Sequence, residues 1–127
     1  MLTNSVTTQM IPVRDVARAK DFYYQARLGL APSGETPDGG YAFATAGGHM
    51  IALLPDADGA PSGRTMLSFE VPDLEKEVQD LESGGIVFED YDTPEITTTG
   101  HIARQGNEAA AWFKDSEGNV LCLHSVG

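Results

Sequence analysis

A chain of 127 residues has room for one domain, or for two small halves that share a core. Its 41% apolar content suits a packed globule and excludes disorder, and no apolar run reaches membrane-spanning length. Nineteen Asp and Glu against eight Lys and Arg give a net charge of −11, which repels phosphate backbones and argues against a nucleic-acid partner; either a cationic ligand or simply a soluble acidic surface fits such a balance.

Residues 6–13 carry β-formers and read as a strand, with Pro12 marking an edge or a bulge near its end. Asp15 is a good helix N-cap, and Val16, Ala19, Phe22, Tyr23 and Ala26 recur at helical spacing until Gly29 stops the helix. Residues 33–40 read as a turn-rich connection, 41–45 as a strand, 46–49 as a tight turn and 50–54 as the returning strand. The stretch 55–63, rich in Pro, Gly and Asp, is the clearest linker.

The pattern then restarts. Residues 64–71 alternate, with Leu67, Phe69 and Val71 facing one way and Met66, Ser68 and Glu70 the other. Asp73 caps a second helix whose Leu74, Val78 and Leu81 share a face, and Gly84-Gly85 ends it. Residues 86–88 read as a strand and 90–105 as a long connection containing His101. Residues 109–124 read as a hairpin: an aromatic strand ends at Lys114, the Asp115-Ser116-Glu117-Gly118-Asn119 turn places Gly118 at positive φ, and Val120, Cys122 and His124 then face away from Leu121 and Leu123.

Val13-Arg14-Asp15-Val16 and Val71-Pro72-Asp73-Leu74 open two similar units, each a strand, an Asp-capped helix and more strands. One unit has a single helix for a sheet with two faces and cannot bury itself, so two are expected to cooperate around a concavity. One cysteine permits no internal disulfide and no cysteine-rich zinc site. Residues 1–5 lack the basic and apolar regions of a signal peptide, so the expectation is a cytoplasmic protein with no membrane partner.

The paired strand-Asp-helix signatures, Phe22-Tyr23 followed by Leu28-Gly29-Leu30, and the Asp-Ser-Glu-Gly-Asn hairpin resemble the vicinal-oxygen-chelate superfamily of glyoxalases, bleomycin-resistance proteins and extradiol dioxygenases over nearly the whole chain. The resemblance implies an α+β fold of two βαβββ modules, 1–54 and 64–127 around the 55–63 linker, with mixed sheets forming a cleft in one domain spanning 1–127. It implies a small-molecule ligand, and often a homodimer. The span from Phe22 to Gly29 is a residue longer than usual, so an altered turn is expected at the end of the first helix.

Metal enzymes of that superfamily place His or Glu at four strand positions, which here are Thr8, Ala52, Met66 and Cys122. Thr, Ala and Met cannot supply the anionic or imidazole donors that a divalent ion needs at about 2 Å, so neither a metal nor another cofactor is expected.

Alternation assigns Thr8, Met10, Met50, Ala52, Met66, Ser68, Glu70, Val120, Cys122 and His124 to the cavity side, joined by Trp112 or Phe113. Soft and apolar, this set suits a flat or hydrophobic ligand, although the methionines fill a small core equally well. Glu70 is a base or a partner for a cation, or else an outward residue at the open end of the sheet. His101 is a ligand contact or general base over the cavity mouth, or else a solvated loop histidine. Cys122 is a nucleophile if a histidine lowers its pKa, or else a buried small hydrophobe. The leading expectation is a metal-free binder of an apolar or aromatic, potentially cationic, compound, of the antibiotic-sequestering type. The alternative is a glyoxalase-like lyase or isomerase working by acid/base chemistry through Glu70, His101 or Cys122, with a metal-dependent lyase or dioxygenase behind it.

Overall fold

The computed structural model describes residues 1–24 and 27–126, and the chain divides into two compact units, Met1–Ala60 and Pro61–Gly127. The first unit contains β1 (Thr8–Val13), α1 (Val16–Tyr23), β2 (Ala31–Glu35), β3 (Tyr41–Ala44) and β4 (Met50–Pro55). Its sheet runs β1-β4-β3-β2, with β1 and β4 parallel and the other neighbours antiparallel. Ile11, Val13, Phe43, Ile51 and Leu53 fill the face under α1, where Ala19 and Tyr23 are fully buried. Each large side chain buried there contributes about 1.5–3 kcal/mol.

The second unit contains β5 (Thr65–Glu70), α2 (Leu74–Ser83), β6 (Phe88–Glu89), β7 (Ala103–Gln105), β8 (Glu108–Lys114) and β9 (Val120–Val126). The sheet order is β5-β9-β8-β6, and β7 also pairs with β8. Strands β5 and β9 are parallel, the rest antiparallel. Ala111, Phe113, Leu121 and Leu123 form the covered face with Leu74 and Val78 of α2. The two units are therefore βαβββ-like repeats with mixed sheets. Both helices start as expected: Asp15 accepts from the Arg18 N–H and Asp73 from the Lys76 N–H.

Besides shifts of one or two residues at strand ends, four elements differ from the sequence reading. First, α1 ends at Tyr23, and Tyr24 is already extended, while Ala26 lies outside the described residues. Tyr23 and Tyr24 both reach the Phe43 ring, at 6.2 and 6.5 Å. Adjacent helical positions do not face the same way, so the chain leaves the helix to seat both. The Gly29 and Leu30 N–H groups then satisfy the Tyr24 and Tyr23 carbonyls. The altered turn expected there runs through residues 25 and 26, which lie outside the described residues.

Second, residues 31–35 form a strand despite their Pro and Gly, because β2 is an edge strand with a register shift between Pro32 and Gly34. Third, the strand expected at 86–88 is displaced to Phe88–Glu89. Fourth, the long connection ends in β7, joined to β8 by the two-residue Gly106-Asn107 turn. The closing hairpin matches the reading, with Gly118 at φ 86 and the Asp115 carboxylate accepting from the Glu117 and Asn119 N–H groups.

Candidate functional site

In the second unit, the face of the sheet opposite α2 is built in rows by strand register. Ser68, Cys122 and Trp112 align in one row across β5, β9 and β8, and Glu89 on β6 extends it. Glu70, His124 and Ala110 align in the next, with Ala103 of β7 beyond. In-register residues share a face, so these side chains emerge together while Leu121, Leu123 and Phe113 go into the core.

Polar contacts tie the rows. Ser68 Oγ lies 2.6 Å from His124 Nδ1, and His124 Nε2 lies 3.6 Å from Glu70 Oε1. The second distance is too long for a hydrogen bond. Cys122 is buried, and its thiol donates to the Leu123 carbonyl at 3.3 Å. Burial pushes the Cys122 thiol up, against hydrogen bonds from Ser68 and the Ala111 backbone that pull it down. The thiol is therefore protonated near neutral pH and a poor nucleophile. Tyr91 meets Trp112 edge-on at 5.4 Å and 87°. Burial, then the neighbouring Glu89 carboxylate, raise the Tyr91 phenol.

Beside these rows lies a hollow of about 450 Å³. Trp112 and His124 line it from the sheet, Ala103 and Ala110 add apolar wall, and Ile96 and Thr97 close one side. Glu95 and Glu108 stand at its edge. Arg104 also lines it but is bound to Glu75 of α2. The charge around it is lopsided: residues 61–127 hold thirteen of the nineteen carboxylates and four of the eight Lys and Arg.

The sequence candidates fall into four places. Ser68, Glu70, Trp112, Cys122 and His124 are brought together in these two rows. Trp112 takes the open face and Phe113 the core. Met66 sits at the register shift between Thr65 and Leu67, which breaks the alternation that grouped it with Ser68. Thr8, Met10 and Met50 belong to the first unit, on the face of its sheet away from α1: Thr8 pairs with Met50, Met10 with Ala52, and Met10 is exposed.

His101 is on the other side of the second sheet. It contacts Asp90 at 2.8 Å and Glu82 at 3.3 Å, stacks on Phe88, and lines a separate groove along α2. Sequence reasoning missed Tyr91, Ile96 and Thr97. The signal was Thr93-Pro94-Glu95, a turn that lets Asp92 pair with Thr97 and brings Tyr91 back over Trp112.

The donor set at the four superfamily metal positions does not fit a divalent ion. Thr8 and Met66 offer neutral donors, Ala52 none, and Cys122 one buried thiol. Among the described residues, no group of three or more His, Cys, Asp and Glu is placed to hold a metal. Among the described residues, no helix is long and apolar enough to cross a membrane.

Residues 5–123 match the family model for the Glyoxalase/Bleomycin resistance protein/Dioxygenase superfamily. Solved structures agree in fold. TnmS3, an antibiotic binding protein from Streptomyces sp. CB03234, is 22% identical with a TM-score of 0.72, covering 100% of this chain and 99% of that one. A superfamily member from Sphaerobacter thermophilus is also 22% identical at 0.72, covering 98% and 99%. A glyoxalase family protein from Bacillus anthracis is 19% identical at 0.71, covering 95% and 92%. No curated protein matches the chain.

Proposed function

The chain belongs to the Glyoxalase/Bleomycin resistance protein/Dioxygenase superfamily, and from that premise we propose that it binds a flat apolar or aromatic small molecule, preferentially a cation, and sequesters it without a metal. One observation carries this reading. Trp112, half-buried and met edge-on by Tyr91, borders a hollow that sets Ile96, Ala103 and Ala110 beside the polar side chains of Glu95, Thr97, Glu108 and His124. An aromatic wall beside polar groups that fix a ligand's orientation is a usual feature of a small-molecule site. His124, held through Nδ1 by Ser68, supplies one such group. The surplus of carboxylates in 61–127 favours a positive charge on the ligand. The likeness to TnmS3 supports an antibiotic as the ligand class, at the level of fold.

Trp112 is the only tryptophan, so its emission reports the hollow directly. Titration with a panel of aromatic natural products, neutral and cationic, is expected to give saturable quenching by one class, with the compound recovered unchanged. Trp112→Ala, followed by equilibrium dialysis because the fluorophore is gone, is expected to weaken binding about five- to tenfold. Quenching that never saturates sinks the proposal.

A second reading rests on the Ser68–His124–Glu70 row. An imidazole bonded at one nitrogen and facing a carboxylate at the other is equipped to move protons, which suits a metal-independent lyase or isomerase. Product in the recovered compound, lost in His124→Gln, selects this reading over sequestration.

A further inference from the structure

The strap between β6 and β7 turns twice. Asp92 pairs with Thr97, and Thr99 pairs with Ile102 around a two-residue turn. Gly100 and His101 make that turn with φ of 58° and 71°, and the Thr99 and Ile102 backbones exchange hydrogen bonds of 2.9 and 3.1 Å across it. Two left-handed residues in succession suit Gly or Asn. His101 is the one non-glycine residue with positive φ among the described residues. A histidine therefore occupies a strained position, and its side chain makes contacts to set against that strain.

Those contacts have a chemical requirement. Nδ1 faces Asp90 Oδ1 at 2.8 Å and Nε2 faces Glu82 Oε2 at 3.3 Å. Carboxylates only accept, so the ring donates to both only as imidazolium; neutral, it turns a lone pair toward one of them. The remaining neighbours do not offset this. Phe88 of β6 is neutral and stacks on the ring at 5.9 Å, and Arg104 of β7, in the same groove, is engaged by Glu75. The hydrogen bond to Asp90 raises the His101 pKa, burial opposes it, and the charges of Asp90 and Glu82 raise it further.

Asp90 also holds the base of the strap. Thr98 Oγ1 lies 3.3 Å from both Asp90 Oδ1 and the Tyr91 carbonyl oxygen, either of which can take its one proton, and accepts from the Tyr91 N–H at 2.9 Å, while the Thr98 N–H donates to the Tyr91 carbonyl at 2.8 Å. Tyr91 is the ring against Trp112, and Ile96 and Thr97 are a wall of the hollow.

We propose that His101 is a protonation latch: as imidazolium it ties the 90–102 strap to the C-terminal end of α2, and so holds the wall of the hollow against Trp112. Its consequence for ligand affinity rests on the binding function proposed above. The sign follows from linkage. The folded-state pKa is raised above the ordinary 6.5, so the tie is complete below that value and is lost as pH rises through the higher folded one.

Amide hydrogen exchange on the whole protein tests the latch, using rates corrected for intrinsic exchange at about pH 5.5 and about pH 8.5. His101→Asn is the control, since asparagine tolerates the left-handed turn and does not titrate. In the natural chain, protection of the Thr98 and Ile102 amides is expected to fall about two- to fivefold toward alkaline pH, the size suited to a partly exposed ion pair. In His101→Asn it is expected to stay flat. A flat natural chain, or the same pH dependence in the variant, overturns the latch. Trp112 quenching by ethidium, whose charge is constant over this range, is read in parallel. Weaker affinity at alkaline pH in the natural chain alone supports the coupling to the hollow, and an affinity independent of pH overturns that coupling. No quenching at either pH overturns the ligand reading, while the exchange result decides the latch by itself.

Discussion

Asp115 shows how much one side chain organises. It is buried in the β8–β9 turn; Oδ1 accepts from the Glu117 and Asn119 N–H groups at 2.8 Å each, and Oδ2 accepts from Asn119 Nδ2 at 3.0 Å. These bonds set the hairpin register and therefore which of Trp112 and Phe113 faces the hollow. Asp115→Ala leaves donors of the buried Asn119 without this acceptor and is expected to cost about 2–3 kcal/mol, read as a lower urea midpoint. Cys122 illustrates the opposite case. A thiol two residues from a histidine on the same strand face invites a nucleophile reading, but burial keeps it protonated and the Ser68 hydroxyl takes His124 Nδ1.

At the scale of elements, close approach decides as much as hydrophobicity. Gly40 is buried where the chain enters β3, and a Cβ there would stand 2.0 Å from the Leu53 carbonyl oxygen of β4. The backbone of β4 cannot yield that much without breaking its pairing with β1 and β3. Gly40→Ala is expected to destabilise by about 3 kcal/mol, visible as a lower thermal midpoint. Elements defined by composition alone were legible: the two Asp-capped helices, the closing hairpin and the returning strand β4. Those decided by neighbours were not. Strand β2 has the composition of a turn and is a strand because β3 offers it an edge, and α1 stops where Phe43 draws both Tyr23 and Tyr24.

Over the whole molecule, charge is distributed unevenly, with most of the excess carboxylate in 61–127. A cationic ligand attracted by that field should feel salt. Between about 0.01 M and about 0.1 M salt the screening length drops from about 30 Å to about 10 Å. Ethidium affinity, followed through Trp112, is expected to weaken about threefold or more over that range, whereas a neutral aromatic compound should show little change.

The sequence by itself determined the duplicated βαβββ pattern, because periodicity and capping are local properties of residues, and its resemblance to the superfamily marked Thr8, Ala52, Met66 and Cys122 as positions whose side chains lack a metal-binding donor set. It also placed Ser68, Cys122 and His124 on one face, since strand alternation carries that far. Only the tertiary structure decided that Met66 falls at a register shift, that Trp112 rather than Phe113 takes the open face, that Tyr91 returns to Trp112, and that His101 sits between Asp90 and Glu82 on the side of α2. Each of these depends on which backbone lies alongside which, and pairing between distant segments is set by register and packing rather than by any residue alone.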